Sequence, residues 1–273
     1  MNLQSKAKLN NGVEMPWLGL GVYQASAGGV AEQAVRWALD IGYRHIDTAA
    51  AYGNETDVGR GVKDSGIDRE EIFITTKVWN EDQGYDSTLK AFDKSRSRLD
   101  LDVVDLYLVH WPVTGLHLET WKALEALYSQ GKVRAIGVSN YMPHHLEDVF
   151  KNFDIVPAVN QVEFHPFLLQ KELFDFDKTH GILHEAWSPL TRGRRLDDAA
   201  ITEIAKKYGR SNAQVILRWD LQLGVATIPK SENRGRIEEN SRVFDFELTE
   251  EDMEKLTSLD ENVRFGPHPD TFV

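Results

Sequence analysis

A rhythm constrains this chain more than any single motif does. Eight short β-rich runs recur along it, separated by segments of helical pattern. They fall at residues 17–21 (WLGLG), 43–47 (YRHID), 71–77 (EIFITTK), 103–110 (VVDLYLVH), 133–139 (VRAIGVS), 158–163 (AVNQVE), 182–188 (ILHEAWS) and 225–229 (VATIP). Most are apolar on both faces, which suits strands of a buried parallel sheet. Between them, residues 30–41 place Val30, Ala34, Trp37, Ala38 and Ile41 on one stripe, and Gly42 stops the helix. Leu89, Phe92 and Leu99 keep helical spacing, with Arg96 at the edge of the stripe, as do Leu118, Trp121, Leu124 and Tyr128. Pro143 suits the first position of a short helix. Thr249, followed by Glu250, Glu251 and Asp252, predicts a capped helix with its acids at the positive end.

Unbroken strand–helix alternation implies parallel βαβ units. Spread over 273 residues, eight units take about 34 residues each, close to the roughly 30 that one unit needs. No Pro/Gly/Ser-rich linker divides the chain. The expectation is therefore an α/β chain forming one (β/α)8 TIM barrel over residues 1–273. Asn11-Gly12, between short alternating runs, predicts an N-terminal β-hairpin that caps the bottom of the barrel. A doubly wound open sheet is the runner-up, but it would want a glycine-rich phosphate loop, and neither GxGxxG nor GxxxxGK[ST] occurs.

Composition removes whole classes of chemistry. The chain has no cysteine, hence no disulfide, thiol nucleophile, iron–sulfur cluster or Cys-based zinc site. A net charge of −12 argues against a nucleic-acid surface, which needs clustered Lys and Arg. No run of 18 or more apolar residues suggests a membrane span, and the first six residues lack the apolar stretch of a signal peptide. These features lead to the expectation of a soluble cytoplasmic protein.

In such barrels the chemistry sits where strands end. The second run closes with Asp47, and Tyr52 follows in the next loop; the third closes with Lys77 and the fourth with His110. One Asp, Tyr, Lys and His thus converge on one rim. The plainest reading is a polar seal on the barrel mouth. A chemical reading is more specific. Free tyrosine, with a pKa of about 10, is a poor acid at neutral pH, and a nearby ammonium lowers that value. Asp47 would hold Lys77 charged, and His110 would donate to a carbonyl oxygen. Nothing here transfers electrons, so a carbonyl reduction would need a cofactor's hydride.

These residues resemble the aldo-keto reductase family, over essentially the whole chain. Gly42-Tyr43-Arg44-His45-Ile46-Asp47-Thr48-Ala49 resembles its first signature, and Asp105-Leu106-Tyr107-Leu108-Val109-His110-Trp111-Pro112 its histidine strand. Gly137-Val138-Ser139-Asn140 and Asn160-Gln161 resemble its nicotinamide-binding stretches. Ile228-Pro229-Lys230-Ser231 with Arg236-Ile237-Glu238-Glu239-Asn240 resembles its NADPH signature. Val78-Trp79-Asn80, Ala186-Trp187-Ser188-Pro189-Leu190 and Gly266-Pro267-His268-Pro269-Asp270 are similar to the prokaryotic branch, which includes glyoxal and methylglyoxal reductases and 2,5-diketo-D-gluconate reductases. The resemblance implies Tyr52 as proton donor, tuned by Lys77 and Asp47, with His110 orienting the carbonyl. It implies NADPH/NADP+ as cofactor. Trp187 would stack on the nicotinamide, Ser139, Asn140 and Gln161 would bind its carboxamide, and Ser188 and Leu190 would be further cofactor-binding positions. Lys230, Ser231 and Arg236 would take the 2′-phosphate, with Glu239 and Asn240 at the adenine. Tyr23, Trp79 and Trp111 would line the substrate pocket. The substrate would be a small carbonyl compound, and the family suggests a monomer.

Three features sit less easily with that pattern. The loop Thr191-Arg192-Gly193-Arg194-Arg195-Leu196 is unusually basic, which either strengthens contact with the cofactor's pyrophosphate, the favoured reading, or leaves the arginines solvated. Ser231-Glu232-Asn233-Arg234-Gly235 puts a glycine and an acid where a helix should begin. The short segment 113–116 and the short tail ending at Val273 suggest an open pocket. No metal set is expected. His180 and His184 are four apart, but Gly181 breaks any helix aligning them, and His144-His145 with Glu147 reads as a solvated helix start. Asn54-Glu55-Thr56 matches a glycosylation sequon without other signs of secretion. The expectation is NADPH-dependent reduction of 2-oxoaldehydes and other aldehydes. A keto-sugar acid reductase is the alternative within the class. A redox-sensing NADPH-binding regulatory protein is a further one, and a metal-dependent hydrolase would need more strand-end ligands than Asp47 and His110.

Overall fold

A computed structural model of the chain describes residues 1–272. Strands β1 (Lys6–Lys8) and β2 (Glu14–Pro16) pair antiparallel, with Ala7 opposite Met15. The main sheet follows as β3 (Leu20–Gly21), β4 (His45–Asp47), β5 (Phe73–Val78), β6 (Val104–Val109), β7 (Val133–Ser139), β8 (Val159–Glu163), β9 (Leu183–Trp187) and β10 (Ala226–Thr227). Each strand is parallel to the next in sequence. The ring closes between its first and last members. Leu18 bridges Thr227, Gly21 bridges Lys230, and the Thr227 N–H donates to the Trp17 carbonyl at 2.9 Å. Glycine is required at this seam: a Cβ on Gly21 would lie 2.8 Å from the Ile228 carbonyl oxygen.

The runs read from sequence match the eight sheet strands in order and shift only at their ends. The first shrinks to two residues because residues 17–19 meet the last strand through single bridges. The third starts late because Arg69–Glu71 forms a 3-10 turn capped by Asp68. Around the sheet lie α1 (Val30–Ile41), α2 (Glu55–Asp64), α3 (Tyr85–Leu99), α4 (His117–Ser129), α5 (Pro143–Asn152), α6 (Lys171–Thr179), α7 (Ala199–Tyr208), α8 (Asn212–Leu223), α9 (Arg234–Ser241), α10 (Glu250–Thr257) and α11 (Pro269–Phe272). Gly42 ends α1 at φ 115°, where a side chain would be strained. The Thr249 hydroxyl accepts from the Asp252 N–H and caps α10.

One apolar layer fills the space between sheet and helices, with Trp121, Leu124, Phe92 and Trp219 fully buried in it. A second cluster closes the bottom: Leu9 and Met15 of the hairpin region pack on Phe73, Ala158 and Ala226 near the strand starts. Chemistry is left to the opposite rim, where the strands end.

Candidate active site

Asp47 ends β4 and Lys77 sits one residue inside the end of β5; both side chains are buried. Lys77 Nζ donates to Asp47 Oδ1 and Oδ2 at 2.7 and 2.8 Å, and to the Thr48 carbonyl at 2.9 Å. Its remaining neighbour is the Tyr52 hydroxyl at 3.4 Å. An ammonium has only donors, so the Tyr52 oxygen accepts and its own proton is free to point into the cavity. Tyr52 closes a 3-10 turn, Ala50–Tyr52, directly after β4. Asn54 fixes that loop: its amide donates to the Val22 and Ala25 carbonyls and accepts from the Thr48 hydroxyl. The sequon asparagine is therefore buried and consumed.

Burial pushes the Tyr52 hydroxyl up to about 12, against the pull of the Lys77 charge. This corrects the simple expectation of a lowered tyrosine: desolvation outweighs the ammonium, so Tyr52 stays loaded with its proton. Burial and Lys77 both hold the His110 imidazole well below its usual range, so the ring is neutral. Its ring centroid lies 5.7 Å from Tyr52 and 5.2 Å from Trp79.

Above these groups opens a cavity of about 1090 Å³. It is lined by Asp47, Tyr52 and His110, by Ser139, Asn140, Gln161, Trp187, Ser188 and Leu190, by Lys230, Ser231, Arg236, Glu239 and Asn240, and by Tyr23, Trp79 and Trp111. Every site residue expected from sequence is in this set except Lys77, which lies buried beneath it.

A model of the "Aldo/keto reductase family" matches residues 18–261. The chain belongs to the aldo/keto reductase family. It is 58% identical to the glyoxal reductase of Bacillus subtilis (strain 168), over 98% of both chains. Among solved structures, an aldo/keto reductase from Brucella melitensis is 48% identical, with a TM-score of 0.91 over 94% of this chain and 99% of that one. The Bombyx mori aldo-keto reductase, solved in complex with NADP, is 35% identical, with a TM-score of 0.92 over 97% of this chain and 96% of that one.

Within this aldo/keto reductase the expected cofactor residues divide into free and braced groups. Gln161 spends both amide hydrogens below the cavity, on Asp47 and Glu185, which leaves its oxygen as an acceptor. Asn140, at φ 64°, donates to the His110 carbonyl and Ser139 Oγ, and its oxygen accepts from Trp187 Nε1 at 2.9 Å. It ties the ends of three strands together and keeps acceptor capacity only. Ser139 Oγ donates to the Gln161 carbonyl. Gly266 packs on the edge of Trp187, where a Cβ would fall 2.4 Å from the ring.

At the far end, α9 does begin despite its glycine, because the Asn233 side chain accepts from the Arg236 N–H. Lys230 lies 3.4 Å from Glu232, which serves as its internal counter-ion. The basic loop contributes less than its composition suggests. Of its three arginines only Arg192 lines the cavity, its guanidinium 5.9 Å from the Tyr23 ring and 5.8 Å from Trp187. Arg195 instead pairs with Glu261 and Asp198 and stacks on Phe167, and Arg194 lies over Phe265.

Two elements were missed in sequence. The tail, with Val273 outside the described residues, does not leave the pocket wholly open: Phe272 packs 4.5 Å from Trp111 and 6.4 Å from Trp79. Asp270 anchors it, lying 3.2 Å from His144 Nε2 and 3.5 Å from His145 Nε2. So His145 is not a solvated helix start. Its Nδ1 accepts from the Met142 N–H, which leaves the proton on Nε2 facing Asp270. Asp270 thus ties the tail to the start of α5 through close ionic contacts with the two imidazoles.

Proposed function

We propose that this chain reduces 2-oxoaldehydes and other small or aromatic aldehydes to alcohols with NADPH, Tyr52 supplying the proton. The observation that carries this reading is the Asp47-locked ammonium of Lys77 beneath the Tyr52 hydroxyl, on the floor of a cavity with room for both cofactor and substrate. When bound, the cofactor supplies a hydride. The donor set suits it. Trp187 offers a flat ring near the tetrad, Gln161 an acceptor, and the opposite end holds Lys230, Ser231, Arg236 and the start of α9 for a phosphate dianion. Glu239 and Asn240 line the space beyond.

The chain's own residues then act in sequence. Neutral His110 donates to the substrate oxygen and fixes the carbonyl beside Tyr52. As charge develops on that oxygen, the Tyr52 proton moves to it, and Lys77 stabilises the tyrosinate left behind. Asp47 keeps Lys77 charged throughout. Tyr23, Trp79, Trp111 and Phe272 wall the substrate space with aromatic rings and limit water.

Arg192 favours a second reading, a keto-sugar acid as substrate, because a cavity-lining guanidinium suits a carboxylate. We further assign a monomer, since one chain supplies every group of the site, and a cytoplasmic location, where such a cofactor is regenerated. An NADPH-oxidation screen over methylglyoxal, aromatic aldehydes and keto-sugar acids tests the proposal. Turnover of the aldehydes supports it; turnover of the keto acids alone moves the assignment to the second reading; turnover of none refutes both.

A further inference from the structure

Below the tetrad, Gln161 stands between two carboxyl groups. Its Nε2 donates to Asp47 Oδ2 at 2.7 Å and to Glu185 Oε2 at 2.8 Å. Glu185 comes from the middle of β9 and His45 from the start of β4, and both are fully buried. Each carries one polar atom without a hydrogen-bond partner, Glu185 Oε1 and His45 Nδ1. These two atoms face each other at 3.8 Å. On its other side the His45 ring reaches Thr75 through Nε2, 3.0 Å from Oγ1. Gly19 makes room for the ring, since a Cβ there would lie 2.6 Å from His45 Nδ1.

Buried polar atoms are rarely left unpaired, because each costs about 1–3 kcal/mol. At 3.8 Å the two stand just beyond hydrogen-bond reach, and a closure of about 0.5 Å would let one proton serve both orphans. We propose that Glu185 is a positioning residue for the reduction: it shares a single proton with His45, and the resulting neutral pair holds Gln161 and the Asp47–Lys77 pair beneath Tyr52 without a second negative charge. This inference rests on the reading of Tyr52 as proton donor.

The groups facing Glu185 are Asp47 and His45 from β4, Lys77 from β5 and Gln161 from β8, with Thr75 of β5 behind the His45 ring; in β10 the residue in register is Ala226. Burial, with the Asp47 charge adding to it, pushes the Glu185 carboxyl up to about 8, against the Gln161 hydrogen bond and Lys77. Burial and Lys77 hold His45 down at about 3. The shared proton therefore resides on Glu185 at neutral pH.

Two consequences follow, with definite signs. Above about pH 8 an ionised Glu185 adds an anion beside Asp47, disfavours tyrosinate at Tyr52, and slows proton delivery. For stability, the folded carboxyl keeps a proton that the unfolded chain releases at its ordinary value of 4.5. The fold thus loses stability as pH rises from there to about 8, and no more beyond. Glu185→Gln keeps the shape, presents an amide donor toward His45 and never ionises.

The experiment compares wild type with Glu185→Gln in two assays from about pH 5 to about pH 10. In NADPH-coupled aldehyde reduction, wild-type kcat is expected to fall at least about tenfold between about pH 7.5 and about pH 9.5. The variant should lose that limb while its KM keeps to that of wild type. In thermal unfolding, the variant's gain in Tm should widen from about pH 5 to about pH 8 and then level off. A variant kcat profile parallel to wild type, or a Tm difference independent of pH, overturns the proposal. If neither protein turns over any aldehyde, the functional reading fails instead, and the Tm series still decides the shared proton.

Discussion

Lys77→Met keeps the length of the side chain and deletes its charge. In the structure the ammonium lies 3.4 Å from the Tyr52 oxygen. At an effective dielectric of about 20, a unit positive charge at that distance stabilises tyrosinate by about 5 kcal/mol. At 1.4 kcal/mol per decade this amounts to a fall of about three to four decades in kcat. The substitution also breaks a buried ion pair, which costs about 3–5 kcal/mol of stability when one charge is left behind. The double variant Asp47→Asn with Lys77→Met separates the two effects. It removes the stranded carboxylate, so stability should recover, whereas kcat should stay low because the ammonium is still missing. Steady-state aldehyde reduction, NADPH fluorescence titration and thermal unfolding measure the three quantities. A folded Lys77→Met protein within about tenfold of wild-type kcat would refute the electrostatic argument. So would a double variant that regains activity together with stability.

Lys230→Ala and Arg236→Ala each remove a charged donor to the expected phosphate, worth about 1.5–3 kcal/mol, so the NADPH Kd should rise about 10- to 150-fold. The NADH Kd should stay within about twofold, and equal losses for both cofactors would remove the phosphate role. Phe272→Ala takes one ring from the wall formed with Trp111 and Trp79. At about 0.5–1.5 kcal/mol per aromatic pair, KM for an aromatic aldehyde should rise about 2- to 12-fold while that for methylglyoxal hardly moves. A parallel change for both substrates would count against a direct contact.

Local pattern carried most of the fold. The doubly apolar strands and the α1 stripe with its Gly42 stop were visible because both obey a short period. Ring closure was legible only through the count of eight units; the contacts that make it, single bridges from Leu18 to Thr227 and from Gly21 to Lys230, have no periodic signature. Helix α2 was hidden because Val58 and Val62 are its only large apolar residues, set among glycines and charged side chains. In the site, Asp47, Tyr52, Lys77 and His110 were legible because the strand ends mark one rim. The direction of the tyrosine shift was not, because it depends on how deeply the hydroxyl is buried. Nor was the Asp270 contact, where a tail residue meets His144 and His145 across more than a hundred residues. Glu185 was hidden in plain view: in sequence it is one polar residue in an apolar strand, and only the register beside Gln161 and His45 gives it partners. A polar residue in the middle of such a strand is the signal that would have pointed to it.

The central claim is that the Tyr52 hydroxyl delivers the proton, and Tyr52→Phe tests it most directly. The substitution keeps the ring against Tyr23 and His110 and removes only the oxygen beside Lys77. Single-turnover mixing of the variant, NADPH and an aldehyde that wild type reduces should show NADPH bound with unchanged affinity and no oxidation of it. Oxidation at a rate near that of wild type would contradict the account.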